Sequence, residues 1–211
     1  MTKTLDYIEV ASTRETATKG LVVILHGWGS NAEDVASIVP FLQLPGYDFV
    51  FPNAPFPHPH SPIGRAWYEL SRDNMYEGLT ESRKLLIDWL QSLEKNTGIP
   101  LKRTILSGFS QGGAMTLDVG LKLPFAGLIS MSGYLHSDIQ NLQSLENNFL
   151  PPMLIMHGKH DEIVPLQAAQ KARDILKSQP VSLEYREFDG GHQISSEMLD
   201  VVRTFILSNL T

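Results

Sequence analysis

The chain has 211 residues, 42% of them hydrophobic and 19% charged, enough to bury a core and too apolar for wholesale disorder. Its net charge of −6, with no Lys/Arg cluster longer than Lys102-Arg103, excludes a nucleic-acid footprint and leaves little attraction to anionic membranes. The absence of cysteine excludes disulfides, zinc–cysteine sites and a cysteine nucleophile.

The opening MTKTLDYIEVAST lacks an apolar core behind basic residues, and no apolar run reaches transmembrane length. A cytoplasmic protein without stable membrane insertion is expected. "LVVILH" (Leu21 to His26) is a continuous apolar run rich in β-branched residues, as a strand buried on both faces requires. A Gly-rich turn follows, then a predicted helix from Asn31 to about Leu42. "YDFVF" (Tyr47 to Phe51) reads as a strand. The next stretch, "FPNAPFPHPHSPIGRAWYEL", has five prolines in its first twelve residues, yet also Phe51, Phe56, Trp67 and Tyr68. Proline suggests a linker and aromatics argue against disorder. No regular structure is predicted from Pro52 to Tyr76.

Leu79, Leu85, Leu86, Trp89, Leu90 and Leu93 mark one face of a helix that Gly98 and Pro100 end. "RTILSGF" (Arg103 to Phe109) is a strand, followed by a helix from about Gln111 to Leu123. "GLISMS" (Gly127 to Ser132) and "PMLIMHG" (Pro152 to Gly158) are strands. A helix over Leu166 to Lys177, the strand "SLEYREF" (Ser182 to Phe188) and a helix over Ser195 to Asn209 complete the chain. This alternation predicts an α/β fold: a mostly parallel sheet with helices on both faces, in one domain spanning residues 1–211. Ligands of such sheets bind beyond the carboxyl ends of the strands, so the loops there carry the functional signal.

After Arg103–Phe109 comes Gly108-Phe109-Ser110-Gln111-Gly112, a G-x-S-x-G pattern between strand and helix. A nucleophilic serine on that sharp turn has its hydroxyl exposed above the sheet, and the glycines remove side chains that would collide across it. A plain Gly-rich packing turn, or a phosphate cradle, would use similar residues. A serine needs a base, and the base an orienting carboxylate. His192 follows Asp189-Gly190-Gly191 after the last strand and is the candidate base. His157 reads as a core histidine and His160 as a surface one. Asp161, in the loop after Pro152–Gly158, is the candidate carboxylate. Asp189 is the competitor and reads as a turn residue; Glu162 reads as solvent-facing. Acyl transfer also needs two N–H donors for the oxyanion. Gln111, next to the nucleophile, and Trp28, after His26-Gly27, are the candidates.

With "LHGWGSNAEDV", "FPNAP", "RAWYEL", "SGFSQGGAM", "MSGYL", "HGKHDEIVP" and "GGHQIS", the sequence resembles the carboxylesterase/phospholipase family of α/β-hydrolases, which includes acyl-protein thioesterases and lysophospholipases. Trp28 stands where the thioesterases typically show Leu, closer to the bacterial esterase branch. The resemblance implies an α/β-hydrolase fold with no large cap domain. It implies a Ser110, Asp161 and His192 triad with Trp28 and Gln111 as oxyanion hole. It implies a serine hydrolase of carboxylic esters, with short to medium acyl chains expected, needing no metal or organic cofactor. A lysophospholipase or acyl-(protein) thioesterase would use the same mechanism, with a small-molecule ester or thioester, lipid-like or not, as partner. A non-catalytic binding protein on this fold is the remote alternative. The resemblance also puts "RAWYEL" near the acyl groove, where Trp67, with Phe56 and Ile63, is expected to line the groove opposite Ile163 or else merely to pin the loop to the body.

Overall fold

The computed structural model of the chain describes residues 4–12, 18–137 and 150–210. Its main sheet has seven strands: β1 (Tyr7–Val10), β2 (Leu21–Leu25), β3 (Asp48–Pro52), β6 (Thr104–Phe109), β7 (Gly127–Met131), β8 (Met153–Gly158) and β9 (Leu183–Phe188). They run in the order β1-β3-β2-β6-β7-β8-β9, with β1 alone antiparallel to its neighbour. The sequence did not reveal β1: as a four-residue edge strand of half-exposed and exposed residues it has no apolar run to detect.

The central strands β2, β7 and β8 are buried along their whole length because helices cover both faces. In β2 the pleat divides the burial. Leu21, Val23 and Leu25 enter a core with α3 (Leu79–Thr97), α4 (Gln111–Gly120) and α5 (Leu166–Lys177). Val22 and Ile24 enter the opposite core with α1 (Ala32–Ala36), α2 (Val39–Leu42) and α6 (Ser196–Asn209). The helix predicted from Asn31 to Leu42 is therefore two short ones. Asn31 caps the first by accepting from the Asp34 amide at 2.9 Å, and Pro40, which has no N–H, falls in the first turn of the second.

The proline-rich stretch is more regular than its composition suggests. β4 (Phe56–Pro57) and β5 (Arg65–Ala66) pair as a small antiparallel ribbon. A buried ionic knot ties this region to the sheet. Asp118 of α4 has no exposed side-chain surface and accepts from Arg83 Nε (2.6 Å), Lys122 Nζ (3.2 Å) and His136 Nδ1 (2.7 Å). His136 Nε2 meets the Tyr68 hydroxyl at 2.9 Å, and that hydroxyl meets Tyr134 at 2.7 Å. Burial works against the Asp118 carboxylate, but the His136 bond and then the Lys122 and Arg83 charges outweigh it and hold its pKa below the usual range. No described helix is long and apolar enough to cross a membrane.

Candidate active site

The carboxyl ends of β2, β6, β8 and β9 bring four loops together. Ser110 caps α4 with φ 55° and ψ −118°, left-handed backbone for a non-glycine residue. Close packing makes the flanking glycines obligatory. A Cβ on Gly108 would lie 2.2 Å from the Gly112 carbonyl oxygen, and one on Gly112 would lie 2.3 Å from that of Leu25.

Ser110 Oγ lies 2.9 Å from His192 Nε2, and His192 Nδ1 lies 2.7 Å from Asp161 Oδ2. The other oxygen of Asp161 accepts from the amides of Ile163 (2.9 Å) and Val164 (2.8 Å). Burial raises the Asp161 pKa, but the His192 bond and those two amides outweigh it, so the carboxyl is held below its usual range. An ionised carboxylate on Nδ1 selects the tautomer that leaves Nε2 free to take a proton from the serine. The competitor Asp189 binds exposed His160 at 2.8 Å instead, so the structure brings Asp161 to His192.

The Trp28 and Gln111 amides donate to no acceptor among the described residues, as an oxyanion site requires. Both are braced from behind. His26 is fully buried, and its Nε2 accepts from the Ala54 amide at 3.0 Å. Nδ1 therefore carries the proton and donates to the Gly27 carbonyl at 2.7 Å. Because a trans peptide points its C=O and N–H in opposite directions, fixing that carbonyl fixes the direction of the Trp28 N–H. Burial, only partly opposed by the Gly27 bond, pushes the His26 pKa down to about 4. The Gln111 side chain is clamped too: Oε1 accepts from the Trp67 amide and Nε2 donates to the Tyr68 carbonyl, both at 2.8 Å.

A nucleophile, base and carboxylate in sequence beside two free amides can perform acyl transfer. The sequence model of the phospholipase/carboxylesterase family matches residues 5–210. The chain belongs to that family. As a family member it is an ester or thioester hydrolase on the α/β-hydrolase fold. It is 30% identical over 223 aligned residues to acyl-protein thioesterase 1 of Neurospora crassa, covering 95% of this chain and 89% of that one. It is 27% identical to a probable carboxylesterase SOBER1-like of Arabidopsis thaliana, over 96% and 85% of the two chains. Among solved structures, esterase PE8 matches with a TM-score of 0.89 and 30% identity over 99% of this chain and 100% of that one.

The family member has a cavity of about 620 Å³ over Ser110 and His192. Of the residues expected to bind substrate, Ile163 lines it and is 70% exposed. The others do not. Trp67 is completely buried behind the oxyanion loop, its indole N–H donating to the His26 carbonyl at 3.0 Å. An amphipathic ring with an unfilled carbonyl within reach is better placed inside than on a groove wall. Phe56 packs on Gly78, where a Cβ would lie 2.5 Å from its ring, and lines a separate groove. Ile63 projects into solvent, 72% exposed.

The wall instead uses Leu70, Met75 and Tyr76 at the far end of the proline-rich loop, Tyr134 after β7, and one face of α5. That face carries Pro165, Ala168 and Ala172, small residues three and four apart directly after the Asp161 loop. Their spacing was visible in the sequence; that the face borders a cavity was not. A second groove of about 450 Å³ between β9 and α6 contains no histidine and lies apart from the triad.

Proposed function

We propose that this chain is a carboxylesterase acting on short to medium acyl chains, with Ser110 as nucleophile, His192 as base and Asp161 as its orienting carboxylate. The unbroken path from Ser110 Oγ through His192 to Asp161, at 2.9 and 2.7 Å, carries the reading. Ser110 attacks the ester carbonyl while His192 Nε2 takes its proton. The tetrahedral oxyanion forms facing the Trp28 and Gln111 amides, each worth about 3 kcal/mol in the transition state. His192 then gives the proton to the departing alcohol, leaving an acyl-enzyme. Water, deprotonated by the same imidazole, releases the acid and restores the serine.

Hydrolysis of p-nitrophenyl esters of graded length tests this. Wild type is expected to turn over acetyl to octanoyl esters and to be labelled by a fluorophosphonate at Ser110, whereas Ser110→Ala does neither. Activity retained in Ser110→Ala, or labelling elsewhere, would sink the mechanism.

One observation favours a lysophospholipase-like second reading. Lys171 is the one permanently charged side chain among the residues around an otherwise mostly apolar cavity. An acyl or alcohol portion bearing an anion would find a partner there. An exposed pair of this kind is worth about threefold to fivefold in selectivity. A hemiester ending in carboxylate should gain that factor over the neutral ester of equal length and lose it in Lys171→Glu. Equal ratios in both proteins would remove the anionic reading.

A further inference from the structure

His157 is the penultimate residue of β8, four residues before Asp161, and belongs to neither the proposed triad nor the oxyanion loop. It has no exposed surface. Its Nε2 lies 2.7 Å from the Val164 carbonyl oxygen, which can only accept, so Nε2 carries a proton. The same Nε2 lies 3.3 Å from Asp161 Oδ2, the very oxygen that holds His192. Its other nitrogen, Nδ1, is buried with no partner among the described residues. A single N–H thus bonds the Val164 carbonyl while its nitrogen sits close beside the carboxylate oxygen.

Four nitrogens therefore surround the carboxylate. Oδ1 takes the Ile163 and Val164 amides, and Oδ2 takes His192 with His157 beside it. Val164 is the hinge of this arrangement: its amide binds Asp161 and its carbonyl binds His157. The turn from Asp161 to Val164 is closed by the imidazole at one end and by the aspartate at the other.

We propose that His157 is a positioning residue for the reaction: it fixes the turn that aims Asp161 and lowers the basicity of the oxygen on which His192 leans. The inference rests on the Ser110–His192–Asp161 reading. A donor near Oδ2 drains charge from the carboxylate, so the imidazolium of His192 is stabilised less than by a bare aspartate. Removing the donor is expected to move the acid limb of the activity profile to higher pH. A histidine that merely fills space in β8 would have no such effect.

The test compares kcat, KM and the pH profile of kcat/KM with p-nitrophenyl butyrate across wild type, His157→Gln, His157→Asn and His157→Leu, with melting temperatures alongside. Gln reaches the Nε2 position with an N–H; Asn is polar but too short; Leu has no donor. The other titratable or charged groups near His192 are unchanged throughout: Asp161 on its ring, the exposed His160–Asp189 pair on the flanking loops, Glu162 beside Asp161, and Lys171 on the cavity wall.

Leu and Asn are expected to lower kcat about tenfold to a hundredfold, as loss of a donor to a charged group does, with KM little changed. They are also expected to raise the acid limb of the profile by about half a pH unit. Gln is expected to restore both. An unmoved acid limb in Asn and Leu, or Asn behaving as Gln does, overturns the proposal. Should Leu fail to fold, Asn against Gln decides alone. Activity in Ser110→Ala would instead refute the underlying triad, whatever His157 does.

Discussion

Acid should destabilise this protein through His26 in a window that is set by its burial. The folded-state pKa is about 4, against an ordinary 6.5. At pH 7 both folded and unfolded chains hold the ring neutral, and it contributes nothing to the pH dependence. Between pH 6.5 and 4 the unfolded chain takes up a proton that the folded chain refuses, so stability falls as pH falls. At about 1.4 kcal/mol per pH unit the full loss is about 3 kcal/mol below pH 4, with about 2 kcal/mol gone by pH 5. The stop at pH 5 keeps most carboxylates ionised. The assay is urea unfolding at pH 7 and pH 5 for wild type and His26→Gln. The variant is less stable at both, because the Gly27 carbonyl and the Ala54 amide lose their shared partner. Its loss on acidification should be smaller than wild type's by about 2 kcal/mol. Equal losses in the two proteins would refute the reasoning, since the remaining histidines are common to both.

The cavity and its supports give three further expectations. Ala168→Leu narrows the wall formed by α5 and should lower kcat/KM for octanoyl esters about tenfold or more while sparing acetyl esters, read from the p-nitrophenyl series. Gly112→Ala forces a Cβ against the Leu25 and His26 carbonyls, 2.3 and 2.6 Å away, and should lower the melting temperature by about 2–12 °C. Trp67→Phe strands the His26 carbonyl and should reduce kcat for every chain length by a similar factor of about tenfold, with the ratio of octanoyl to acetyl rates unchanged. A changed ratio would return Trp67 to the cavity wall.

The residues that could be read from the sequence are those whose signal is local. Ser110 and Asp161 come just after buried strands and His192 after the mostly half-exposed β9, and each sits where glycines or a turn demand a particular backbone. Strand ends in a parallel sheet converge on one face, so three candidates chosen loop by loop, without knowledge of the sheet order, lie within hydrogen-bond reach of one another. The wall of the cavity has no such rule. Leu70, Tyr76, Tyr134 and Ala168 come from three distant segments, and only packing brings them together. Tyr68, Asp118 and His136 were invisible for the same reason: a buried ionic knot joins residues up to 68 positions apart. β1 escaped because an edge strand need not be apolar, and the ribbon of β4 and β5 because prolines suit its exposed edges.

Trp67 lies beside the site but is fully buried and does not line its cavity. Its loop does border the site, but from behind. The Gly29 amide donates to the Arg65 carbonyl at 2.9 Å and the Arg65 amide to that of Ser30 at 2.8 Å, zipping the ribbon to the oxyanion loop. The Ala54 amide reaches His26, and Trp67 grips both the His26 carbonyl and the Gln111 side chain. Both amides assigned to the oxyanion therefore hang on the proline-rich stretch. Donors stabilise a developing charge most when they need not reorganise, and prolines lower the entropy lost in holding a loop still. The stretch thus acts on two separable quantities. On the proposed mechanism its first part, which braces His26 and Gln111 through Ala54 and Trp67, should govern how rigidly the oxyanion donors are presented and hence kcat for any ester. Its tail, through Leu70, Met75 and Tyr76, lines the cavity and on the same proposal should contribute to the choice among esters.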